Sequence, residues 1–110
     1  MTRNMIEKIE EMIRTNKPLS ENNKTQLLNL LAILKPEIEK LSNVQAEHAE
    51  SVVGFIERST HEALRQDRNP TLLKIAMDGL SASVKGFEAS HPQLVENINN
   101  IANAIASIGI

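Results

Sequence analysis

Cysteine is absent from the 110 residues of this chain, and so are tryptophan and tyrosine. Without thiols neither a disulfide nor a thiolate metal site can form, and the composition fits a reducing compartment. The aromatics are two phenylalanines, which leaves no platform for stacking nucleic-acid bases. A basic excess is also missing. Twelve Lys and Arg stand against 14 Asp and Glu, for a net charge of -2, and the basic residues are dispersed from Arg3 to Lys85. Nucleic acid is therefore not an expected partner. No run of about 20 apolar residues exists to span a bilayer. The opening MTRNMIEKIEEMIR mixes charges into its apolar positions, unlike a signal peptide. The expectation is a cytoplasmic protein with no membrane role. No glycine-rich phosphate loop occurs and no Ser or Thr has a partnered base, so neither enzymatic activity nor a cofactor is expected.

What the chain does have is 41% hydrophobic residues at helical spacing, and the reading is an all-α single domain over residues 1–110. The first helix spans about residues 3–16, with Met5, Ile6, Ile9, Met12 and Ile13 on one face. It stops at NKPLS, where Pro18 forbids continuation and Ser20 can cap the next helix. The second segment runs over about residues 20–66, on the order of 70 Å as one helix at 1.5 Å per residue. A kink is expected near Pro36. The turn DRNP follows, with Asn69 as N-cap and Pro70 at the first helical position. The third segment spans about residues 70–108, with a kink or break near Pro92 and a candidate capping box of Ser90 with Gln93.

That third segment carries a coiled-coil-like seam, with Leu73, Met77, Leu80, Val84, Phe87, His91, Leu94, Ile98, Ile101, Ile105 and Ile108 spaced four and three apart. A weaker series, Leu27, Leu31, Leu34, Ile38, Leu41, Gln45, His48, Val52 and Phe55, lies in the second segment. Two seams joined by a tight turn predict a long antiparallel helical hairpin. The first helix folds back to make a three-helix core at one end. The uncharged tail NINNIANAIASIGI, residues 97–110, becomes the third wall of that core, opposite LLNLLAIL, with Asn99, Asn100 and Asn103 outward. The other end then has only two helices, too few to cover Val52, Val53, Phe55, Ile56, Val84 and Phe87. The small residues Gly54, Gly79, Ala82, Ser83 and Gly86 would let another backbone approach. The expected cover is a second copy of the chain in a homodimer.

One constellation could carry metal chemistry. Glu88 and His91 form a Glu-x-x-His pair, and the hairpin places Glu47, His48 and Glu50 at a similar level. Duplicated in a dimer, these would formally match a carboxylate-bridged di-iron set. Against it, Pro92 breaks the helix where ligands must be rigid, and Glu88 flanks the seam. A lone His at such a position is more often structural, and His61 beside Glu57 and Arg65 reads as an exposed pairing face. The expectation is that no metal site exists. The favoured function is a non-enzymatic interaction or scaffold module that self-associates and presents a helical surface to a protein partner. The alternative is a metal- or small-ligand-binding bundle built on Glu88, His91, His48 and Glu50.

FEASHPQLVENINNIANAIASIGI, with the N-terminal MIEKIEEMI and the helical pattern between, resembles a bacterial family of small helical proteins catalogued as a domain of unknown function. The likeness rests on an FExSHPxL phrase and a Gly-Ile end, here Phe87, Glu88, Ser90, His91, Pro92, Leu94, Gly109 and Ile110. It implies a helical fold and no particular activity.

Overall fold

In the computed structural model, which describes residues 2–109, the chain forms five α-helices: α1 (Thr2–Thr15), α2 (Glu21–Glu39), α3 (Asn43–Leu64), α4 (Pro70–Val84) and α5 (Pro92–Gly109). A 3-10 turn, Lys85–Phe87, follows α4, and no strand occurs among the described residues. The protein is all-α. Ile110, half of the Gly-Ile end, lies outside the described residues.

Local signals place most helix starts. Ser20 accepts a hydrogen bond from the Asn23 N–H at 3.2 Å and caps α2. The Asn69 side chain accepts from Thr71 and Leu72 at 3.1 and 3.2 Å, with Pro70 beginning α4. The second segment differs from expectation. Pro36 does not interrupt it, and α2 continues to Glu39 before the chain breaks at residues 40–42. Pro36 and Ala32, whose carbonyl loses its partner, both face solvent, so water can satisfy that oxygen. The break comes instead where Ser42 and Gln45 form a reciprocal capping box. Near Pro92 the chain does break. Among the described residues no Ser90 capping bond accompanies it. The His91 carbonyl accepts the first bond of α5, from Val95 at 3.1 Å, and Gln93 donates to Asn97 at 3.4 Å.

Both breaks fold the chain back on itself, so the long hairpin is replaced by a bundle of 37 × 25 × 21 Å. Polar contacts at the helix borders give the directions. Lys35 meets Glu10 at 2.7 Å and Arg3 meets Glu39 at 3.6 Å, so α2 runs antiparallel to α1. Lys8 meets Glu57 at 3.0 Å and Asn16 donates to the Leu64 carbonyl at 3.4 Å, so α3 runs parallel to α1. Asn97 donates to Glu37, tying α5 to α2. Helices α1, α2, α5 and α3 thus form a ring, and α4 packs outside it on α3 and α5.

Apart from Phe87, the large buried side chains of the core are aliphatic. Ile6, Ile9 and Ile13 of α1 and Leu27, Leu31 and Leu34 of α2 are buried with Ile98, Ile101 and Ile105 of α5. This places the uncharged tail: its Ile98, Ile101 and Ile105 wall the core, and Asn99, Asn100 and Asn103 face water. The core has four walls, not three, because α3 closes the ring where α1 alone was expected. No helix among the described residues is long and apolar enough to cross a membrane.

Candidate interaction surface

The α3 and α4 helices share the most extensive contact among the described residues, and glycine permits close approach at two points. A β-carbon on Gly79 would collide with the Phe55 ring, at 2.7 Å from Cδ1 and 2.9 Å from Cζ. One on Gly86 would stand 2.6 Å from Nε2 of His48. Phe55 and His48 are seven residues apart on α3, as are the two glycines opposite, so each ring fills the space left by one absent side chain. At the hairpin turn, Arg68 Nε donates to the Ala63 carbonyl at 3.1 Å. Arg65 donates to the buried Glu62 carboxylate at 2.8 Å. The hydrogen bond to Glu62, then its charge, hold the Arg65 guanidinium above its ordinary pKa.

The residues expected to need a partner's cover do not need it. Val52, Val53, Ile56, Val84 and Phe87 are all buried within the chain, because α1 and α5 lie against α3 at the level assigned to a bare two-helix end. Of that set only Phe55 is exposed, at 37%. The surplus apolar surface lies nearby. Of the five large hydrophobic side chains exposed among the described residues, four belong to this hairpin: Val44 and Phe55 on α3, Leu72 and Ile75 on α4. Leu72 and Ile75 fall off the seam of Leu73, Met77 and Leu80, and that offset was the available signal for them.

The candidate metal ligands are brought together only in part. His48 and His91 flank Phe87 edge-on, with ring centroids 4.9 and 5.9 Å away. His48 Nε2 lies 2.7 Å from the Ser83 carbonyl. A carbonyl only accepts, so this nitrogen carries the proton and has no lone pair for a metal. Glu88 and Glu47 are exposed and Glu50 is half-buried. No three His, Asp or Glu side chains converge as a metal site among the described residues. A depression of about 820 Å³ between the α1–α2 and α3–α4 turns is lined by residues that include Leu19, Leu64, Ile108, Arg65 and Arg68. Its two arginines are already engaged, by Glu62 and by the Ala63 carbonyl.

The chain belongs to the family described as Domain of unknown function (DUF4404), whose model matches residues 27–110. The match spans Phe87 to Leu94 and leaves out the N-terminal MIEKIEEMI. No curated protein and no solved structure matches the chain.

Proposed function

We propose that this domain is a non-enzymatic helical interaction module, which self-associates and presents a helical surface to a protein partner. One observation carries the reading. The exposed apolar side chains Phe55, Leu72 and Ile75 all lie on one hairpin, and a large exposed apolar patch marks an interaction site. The interface is therefore centred on Leu72 and Ile75 instead of on Val52, Val53 and Ile56. The cysteine-free sequence accords with a cytoplasmic setting.

Light scattering at micromolar concentration tests the self-association. Twice the chain mass is expected for the wild type, and the mass of one chain for Ile75→Glu. Ile75 is 60% exposed, so this variant should unfold at the wild-type temperature after correction for dimer linkage. A wild-type protein that stays monomeric at every concentration would remove the proposal.

A further inference from the structure

Basic residues that are dispersed in the sequence are partly gathered by the fold. Arg58, His61, Arg65 and Arg68 stand three, four and three residues apart along α3 and the turn after it, and all four line a run of three depressions beside α1. The first, of about 310 Å³, shares Met12 and His61 with a second of about 290 Å³. The second shares Asn16, Leu64 and Arg65 with the 820 Å³ depression. Together they form one groove, which ends in an apolar hollow of Leu19, Leu64 and Ile108. Lys8 and the three arginines line this groove against a single carboxylate, Glu57, which pairs with Lys8 at 3.0 Å. Behind the wall, the buried Glu62 meets Arg58 at 3.9 Å and Arg65 at 2.8 Å. Four cations against these two carboxylates leave a net +2, in a chain whose whole charge is -2. Asp67 lies near Arg65 without lining the groove, and with it the excess is still positive. The Arg58 side chain is 67% exposed. Arg68 is exposed too, and gives its Nε proton to the Ala63 carbonyl. A guanidinium has five N–H donors, so these contacts orient the arginines and leave donors for an incoming anion.

We infer that this groove binds an acidic peptide segment of a protein partner, whose carboxylates meet Arg58, Arg65 and Arg68 and whose bulky apolar side chain enters the hollow of Leu19, Leu64 and Ile108. Arg58 and Arg65 are seven residues apart, about 10 Å along the chain at 1.5 Å per helical residue, a separation that an acidic run of a few extended residues covers. No aromatic side chain lines the groove to stack a base, and the apolar hollow suits a side chain and not a phosphate, so a peptide is favoured over a nucleic acid. The inference rests on the protein partner proposed above and gives it a surface beside α1, apart from Leu72 and Ile75 on α4.

Fluorescence anisotropy with a labelled synthetic peptide of Glu and Asp ending in Leu-Phe tests the groove. Saturable binding is expected at about 50 mM salt, weakened by screening at about 500 mM. The same peptide with Gln in place of its acids should lose binding, a control that leaves the protein unchanged. Arg58→Gln combined with Arg68→Gln removes two exposed cations and should weaken binding about five- to tenfold, with circular dichroism verifying the fold. Arg65 is kept because it holds the buried Glu62. Ile75→Glu should bind the peptide as the wild type does. Absence of saturable binding, equal affinity of the folded double variant, or equal binding of an oligothymidine of the same charge would overturn the inference. So would loss of binding on Ile75→Glu, which would place the peptide on α4. Light scattering on the same samples reads self-association separately, so the groove can fail while the dimer stands.

Discussion

The ring of Phe55 occupies the space that a side chain at Gly79 would take. Two helices approach closely because one residue on one of them has no β-carbon, and the aromatic residue on the other remains partly exposed at the surface so formed. A stability measurement and an association measurement can therefore be made on the same pair.

In the wild type, Gly79→Ala should destabilise. Alanine gains about 1 kcal/mol of helix propensity over glycine, but displacing a packed ring costs about 1–3 kcal/mol. In a Phe55→Ala background the collision disappears and the same substitution should stabilise by about 1 kcal/mol. Urea unfolding of the four proteins of this cycle measures the coupling. An unchanged effect of Gly79→Ala in the two backgrounds would show that the ring does not fill the site.

Ile101 is fully buried on α5, whereas Asn100 faces water. Ile101→Asp should cost several kcal/mol, a large share of the roughly 5–15 kcal/mol available to a small domain. Asn100→Asp should stay within about 0.5 kcal/mol. Thermal unfolding followed by circular dichroism separates the two, and equal curves would mean that the tail is not part of the core.

The break between α2 and α3 makes a paired prediction. Ser42→Ala removes the acceptor of the capping box and should cost about 1 kcal/mol. Pro36→Ala restores a backbone donor inside an intact, solvent-facing turn and should stabilise, by up to about 3 kcal/mol. If the helix were instead broken at Pro36, the alanine would fuse two helices and alter the fold, which a comparison of heteronuclear NMR spectra would reveal.

Apolar spacing and capping chemistry were legible in the sequence because both act over one or two turns. Ile6, Ile9 and Ile13, the LLNLLAIL run and Ile98, Ile101 and Ile105 of the tail show their buried faces by periodicity alone. Ser20, Asn69 and Pro70 announce the helices that they begin. Ser42 with Gln45 was equally local, but Pro36 is the louder signal.

Direction and neighbours were decided only by the tertiary structure. Four-and-three spacing runs unbroken through Phe87 and Leu94 whether the chain continues straight or reverses, so the seam over residues 73–108 could not reveal that α4 and α5 fold back on each other. Whether Pro36 ends a helix depends on the solvent exposure of the carbonyl at Ala32, a property of the packed molecule. Val52, Val53 and Ile56 looked uncovered because α1 and α5 are distant in sequence and reach α3 only after both reversals. Burial is a relation among distant segments, and the same reversals that sealed those valines left Leu72 and Ile75 on the outside.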